Sequence, residues 1–198
     1  MTTTPHDAYH PPHHHSTNAT NHDVVILLDE DHQAIGTAPR ATVHTPTTPR
    51  HLAFSCYLLN DDGELLVTRR ALSKKTWPGV WTNSFCGHPR PGESFHDALT
   101  RYAQLELGIT DIHSISVALP DFEYTATDAS GIIENEYCPV FYARTSQQPT
   151  PNPDEVAEYA WTPFPTYVHA ASITPFLLSP WSVAQTAQLH NRGGTHVR

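Results

Sequence analysis

Cys86 and His88 stand two residues apart in Asn83-Ser84-Phe85-Cys86-Gly87-His88, so on an extended strand their side chains leave the same face. Glu134 and Glu136 repeat that spacing, with Cys138 next on their face and Ile133, Asn135 and Tyr137 on the other. Two carboxylates this close on a partly buried face raise at least one pKa unless a proton or a divalent cation intervenes. His44 and His51 flank the Thr-Pro loop 45–49, and imidazole suits zinc, manganese or iron. Taken singly, a histidine is most often a hydrogen-bonded polar residue and a cysteine a small core residue. The conjunction of thiol, imidazoles and paired acids is what points to a metal-bearing site.

A further carboxylate lies on a helix predicted over Glu93 to Leu107 and ended by Gly108. Phe95, Ala98, Leu99, Tyr102 and Leu105 recur at helical spacing and form its expected packing face. Glu106 falls within that stripe, where an unpaired charge is costly, so a cation or an arginine is expected beside it. Gly87, Glu93, Arg101, Glu106, Gly108 and Ile109 resemble a degenerate Nudix box in which Tyr102 and Leu105 stand where the family carries glutamates. In Nudix hydrolases those glutamates hold the magnesium ions that activate water against a diphosphate. Their loss argues against ordinary pyrophosphate hydrolysis, while Glu106 can still hold one hard cation.

Distant segments must converge to assemble these groups. Strand-like runs fall at Asp23 to Leu28, His51 to Leu59, Glu64 to Arg70, Val80 to Cys86, Ile112 to Leu119, Phe122 to Thr127 and Ile132 to Arg144. Asn60-Asp61-Asp62-Gly63 and Thr127-Asp128-Ala129-Ser130-Gly131 read as hairpin connections, so the sheet is expected to be antiparallel or mixed. A second helix is expected to begin with Ser179 as N-cap and Pro180 in the first helical position. The pattern is α+β, an α/β sandwich with a mixed or antiparallel sheet flanked by helices. One domain is assigned to residues 22–190, between a His/Pro/Thr-rich tail at 1–21 expected to be disordered and a flexible C-terminus at 191–198. The tail's histidines can be read as metal-binding or as plain solvated chain.

Eleven Lys and Arg against twenty Asp and Glu leave a formal charge of -9, the wrong sign for gripping nucleic acid. No apolar run approaches the ~18 residues of a membrane span, and the N-terminus lacks the basic and apolar regions of a signal peptide. Cys56, Cys86 and Cys138 form no CxxC pair, which suits reduced thiols, and a cytoplasmic protein is expected. Against this acidic background Arg69, Arg70, Lys74 and Lys75 lie within seven residues, and the last two are the only lysines. The cluster is either a solvated basic loop or a local anion site.

Arg50-His51-Leu52-Ala53-Phe54-Ser55, Arg69 through Lys75, Trp77 through Ser84, Cys86-Gly87-His88-Pro89 and Gly131 through Glu136 together resemble type I isopentenyl diphosphate isomerase, a Nudix-superfamily family, across nearly all of the globular part. The resemblance implies interconversion of isopentenyl and dimethylallyl diphosphate, by protonation of an alkene and removal of a proton from the opposite face of the carbocation. Carried over residue by residue, it implies Cys86 and Glu136 as the catalytic pair with Tyr124 assisting. It implies a zinc or manganese site of His44, His51, His88, Glu134 and Glu136, and Mg²⁺ on the Glu106 carboxylate and the Cys86 backbone carbonyl. Arg40, Arg70 and Lys74 are the implied diphosphate contacts, and Trp181 the implied aromatic face for the carbocation, with Trp81 and Tyr124 as further lining candidates. Tyr102 stands where some bacterial relatives carry an arginine on the diphosphate. The expected partner is a small isoprenoid diphosphate, with no nucleic acid or membrane partner, and the expected state is a monomer or weak homodimer. The alternatives are a Nudix-type diphosphate hydrolase and a binding module that has lost its chemistry.

Overall fold

The computed structural model describes residues 23–192, so the expected tail at 1–21 and most of the expected flexible C-terminus at 191–198 lie outside the described residues. In chain order the elements are β1 (Val24–Leu28), β2 (Ala34–Pro39), α1 (Arg40–Val43), β3 (His51–Leu52), β4 (Phe54–Leu59), β5 (Glu64–Arg70), β6 (Trp81–Thr82) and β7 (Phe85–Gly87). They continue as α2 (Phe95–Leu107), β8 (His113–Leu119), β9 (Glu123–Thr127), β10 (Ile133–Tyr137), β11 (Val140–Arg144), β12 (Val156–Pro163), α3 (Phe164–Ile173), a 3₁₀ turn (Pro175–Leu177) and α4 (Pro180–Asn191). The first sheet runs β2-β1-β3-β10-β9. The second runs β12-β5-β4-β11-β8, with β6 on β5 and β7 on β4. The pairs β3–β10 and β4–β11 are parallel and the others antiparallel, so the sheets are mixed as expected. Among the described residues no helix is long and apolar enough to cross a membrane.

Three expected strands each prove to be two. The run His51 to Leu59 breaks at Ala53, and the run Ile132 to Arg144 breaks at Cys138-Pro139, so each passes from the first sheet into the second. The breaks lie side by side, with the Ala53 amide donating to the Tyr137 carbonyl at 2.9 Å and the Ser55 amide to the Pro139 carbonyl at 3.1 Å. Pro139 has no N–H to continue a ladder, which accounts for the change of direction there. The run Val80 to Cys86 divides as well, into β6 and β7. Strands β2 and β12 and helices α1 and α3 are additions to the expected set; β2 is almost wholly exposed and so lacks the apolar alternation that would announce it.

The second sheet is covered on both faces. Phe54, Leu58 and Leu66 pack with Phe85, Leu99 and Leu107 under α2. Tyr57, Leu65 and Leu119 pack with Phe164, Trp181 and Leu189 under α3 and α4. Strand β4 is buried at every position, as expected for a central strand with helices on both sides. Helix α2 begins at Phe95 rather than Glu93 because Ser94 caps it, accepting from the Asp97 amide. It ends at Gly108 in the left-handed conformation, φ 66°. Leu105, expected in the packing stripe, is 55% exposed, while Ala103 and Leu107 are buried in the face instead. Ser179 and Pro180 open α4 as expected.

Candidate active site

Three neighbouring strands of the first sheet set one wall of the site by register alone. His51 on β3 lies beside Glu136 on β10, and Glu136 beside Tyr124 on β9. Glu134 and Glu136 are both buried, as their spacing predicts, and Cys138 lies beyond them in the core. His44 follows α1 and His88 follows β7, so the metal-ligand candidates come from four separate segments. His44, His51, His88 and Glu136 each present a ligand atom, and these atoms lie within 4.8 Å of one another. Glu134 stands beside this group rather than within it, its Oε2 3.0 Å from His44 Nε2.

The donor set fits a divalent metal ion. His44 Nε2 and His51 Nε2 are buried with no hydrogen-bond partner, although carboxylate oxygens stand 3.0 Å and 3.5 Å away. Buried imidazole nitrogens converging without a hydrogen-bond partner are what a cation requires and what a polar core without one would penalise. His51 Nδ1 is held by the Pro49 carbonyl at 2.9 Å, which turns Nε2 into the cluster. Burial would raise the Glu136 carboxyl, but the His51 and His88 imidazoles hold it well below the usual carboxylate range. His88 itself is pulled down by burial, against the opposing pull of Glu136.

The opposite wall belongs to the second sheet. Cys86 on β7 is paired with Ser55 on β4. Its Sγ lies 3.2 Å from Ser55 Oγ and 3.4 Å from Asn83 Nδ2. Burial pushes the thiol up to about 12 despite these two hydrogen bonds, so Cys86 keeps its proton at neutral pH. Asn83 also accepts from Trp181 Nε1 at 3.1 Å, which ties the indole to the thiol through one amide. The Trp181 ring lies tilted at 40° to Tyr124 with centroids 5.9 Å apart, and Tyr124 donates to Glu136 Oε2 at 3.0 Å. Trp81, one of the expected lining aromatics, instead bridges to Leu178 through the backbone, and it is Trp77 that meets Trp181 edge to face at 5.4 Å.

These two walls enclose a cavity of about 300 Å³ that Cys86, Tyr124, Glu136 and Trp181 line together with Arg40, Arg70, Lys74 and Glu106. Glu106 is pushed up to about 7 by burial and the neighbouring Glu155, against the pull of Lys74, Arg70 and Arg40. The cations expected beside this carboxylate are therefore present. Arg40 is paired with Asp23 and Lys74 with Glu155. Arg70 lies over the Trp181 ring at 5.4 Å. Lys75 also lines the cavity, whereas the Arg69 guanidinium turns to the Gly79 carbonyl and Glu158. Of the box residues, Glu93 is clamped by Arg101 through two bonds of 2.7 and 2.6 Å, and the same guanidinium donates to the His88 carbonyl. Tyr102 packs so close to β7 that a Cβ on Gly87 would stand 2.5 Å from its ring. Ser55, Asn83, Thr76 and Glu155 are site residues that sequence reasoning did not single out. Only the strand register opposite Cys86 could have revealed Ser55.

A family model of the NUDIX domain matches residues 49–179. The fold agrees: DR0079 from Deinococcus radiodurans superposes with a TM-score of 0.62 at 19% identity, over 84% of this chain and 98% of that one. The MutT protein from Methanosarcina mazei Go1 gives 0.56 at 18% identity, over 73% and 96%. Fold and box helix thus define a Nudix domain. Among sequences, the isopentenyl-diphosphate Delta-isomerase of Kocuria rhizophila is 59% identical over 79% of this chain and 87% of its own length. Those of Paenarthrobacter aurescens and Brevibacterium linens are 56% and 51% identical, over 87% and 88% of this chain and 92% and 96% of their own lengths. The chain belongs to the isopentenyl-diphosphate Delta-isomerase family of the Nudix superfamily.

Proposed function

We propose that this chain interconverts isopentenyl and dimethylallyl diphosphate in isoprenoid biosynthesis, with Cys86 and Glu136 as the two proton-transfer groups. The observation that carries this reading is the placing of the Cys86 thiol and the Glu136 carboxyl on one cavity, with burial raising the thiol and the neighbouring imidazoles lowering the carboxyl. An allylic isomerisation adds a proton at one carbon and removes one from another, so in either direction it needs one group loaded and one empty. Tyr124 steadies the carboxylate through its hydrogen bond to Oε2. Trp181, with its ring 5.9 Å from Tyr124 and the Arg70 guanidinium 5.4 Å from its centroid, is the proposed aromatic stabiliser of a tertiary carbocation, an interaction worth up to about 2 kcal/mol when desolvated.

His44, His51, His88, Glu134 and Glu136 are the proposed holders of a zinc or manganese ion, which when bound supplies positive charge that makes an acid on Glu136 stronger. Glu106 and the Cys86 carbonyl are the proposed holders of Mg²⁺ accompanying the diphosphate, and Arg40, Arg70 and Lys74 the proposed contacts to its oxygens. Hydrolysis of a diphosphate is the weaker reading. Tyr102 fills one box position with a packed ring, and Leu105 points outward at another. Running the reaction in deuterium oxide tests the chemistry directly. Both proton-transfer groups exchange with water, so the product is expected to carry carbon-bound deuterium; product formed without deuterium excludes the protonation–deprotonation route.

A further inference from the structure

Thr76 is buried, yet its hydroxyl is used on two sides. It donates to Glu134 Oε1 at 2.8 Å, and Arg70 Nη2 donates to it at 3.3 Å. A carboxylate only accepts and a guanidinium only donates, so the polarity of this chain is set: Arg70 to Thr76 to Glu134. The Glu134 carboxylate is divided by the contact, Oε1 facing Thr76 and Oε2 facing His44 at 3.0 Å. Arg70 is anchored further by the Thr76 carbonyl, which accepts from Nε at 3.1 Å and Nη2 at 2.9 Å, and its guanidinium is then set over Trp181. The next residue, Trp77, holds φ 44°, a conformation that bulky residues avoid unless their surroundings impose it.

We propose that Thr76 is a positioning residue that couples the His/Glu metal cluster to the diphosphate cavity, so that filling either site tightens the other. The inference rests on the reading of Glu134 as a metal ligand and Arg70 as a diphosphate contact. The sign of the coupling follows from charge. Positive charge on the Oε2 side of Glu134 offsets the carboxylate that otherwise neutralises Arg70 through Thr76, leaving more of the guanidinium's field for an anion in the cavity. By linkage, an anion on Arg70 favours the loaded cluster by the same factor.

The test uses the whole chain, stripped of metal. Zinc affinity is measured by competition with a chromophoric chelator, and pyrophosphate, presented as its magnesium complex, is titrated with and without zinc bound. In the unaltered protein, zinc is expected to tighten pyrophosphate binding by about 5- to 150-fold, the usual span of such coupling. Thr76→Val keeps the shape and removes the hydroxyl; it is expected to weaken zinc by about 10- to 100-fold, as loss of an outer-shell partner does, and to bring the coupling ratio close to one. Thr76→Ser is expected to restore both. Should the valine variant melt early, Thr76→Ala against Thr76→Ser makes the same comparison. Unaltered zinc affinity and an unaltered ratio in Thr76→Val, beside a weakened Glu134→Gln, would overturn the coupling role alone. Unaltered zinc affinity in Glu134→Gln would overturn the ligand assignment on which it rests.

Discussion

At the scale of residues, Glu136 answers to three groups at once. Its Oε1 meets His88 at 3.2 Å and His51 at 3.5 Å, and its Oε2 meets the Tyr124 hydroxyl at 3.0 Å. Both oxygens are thereby oriented while the carboxyl stays ionised. Across the cavity, Ser55 and Asn83 do the same for Cys86, which stays protonated. Cys86→Ala and Glu136→Gln are each expected to lower isomerisation by at least the roughly 10²- to 10⁴-fold that a general acid or base contributes, with folding intact by circular dichroism. Full activity in either would contradict a two-sided mechanism. Tyr124→Phe removes one hydrogen bond to a charged group, worth about 1.5–3 kcal/mol, so a loss of roughly ten-fold or more in kcat is expected, with KM little changed.

At the scale of elements, the β7–α2 junction decides whether Cys86 and His88 hold their places. Gly87 lies against the Tyr102 ring with no room for a Cβ, so Gly87→Ala must push strand and helix apart and is expected to lose both zinc binding and activity. Glu93 and Arg101 lock the loop between them, and Arg101 continues to the His88 carbonyl. Burial raises the Glu93 carboxyl, but the Arg101 hydrogen bonds and charge outweigh it and hold its pKa below the ordinary value. A depressed carboxyl pKa adds stability that is present above the unfolded value and lost as pH falls through the folded one. Glu93→Gln is therefore expected to melt below the unaltered protein at pH 7, and the two are expected to converge only as pH falls below the ordinary carboxylate range. A gap that persists in acid would contradict the ion pair's role. The α2 stripe, the two hairpins and the Ser179 cap were legible because spacing and turn chemistry are local properties. Leu105 was misplaced because Ala103 and Leu107 complete the buried face. The division of His51 to Leu59 and of Ile132 to Arg144 was not legible, since apolar runs look alike whether they stay in one sheet or cross into another; Pro139 was the one local cue.

At the scale of the whole molecule, the crossing of two adjacent strands between sheets creates the site. It sets His51, Tyr124 and Glu136 on one sheet against Cys86 on the other, with His44 following α1, His88 following β7 and Trp181 supplied by α4. The chain carries a net charge of -9, while Arg40, Arg70 and Lys74 converge on the cavity, so positive side chains gather at one place on an acidic protein. The residue set was legible in advance because motif blocks carried it, but the linkage of Thr76 to Glu134 and Arg70 depends on residues 70, 76 and 134 meeting in space. The account's central claim is tested most directly by incubating the purified protein with isopentenyl diphosphate, magnesium and zinc or manganese, and measuring dimethylallyl diphosphate and released phosphate together. Dimethylallyl diphosphate without phosphate or pyrophosphate is the predicted result. Phosphate release without isomerisation would contradict it and make the chain a hydrolase in an isomerase's frame.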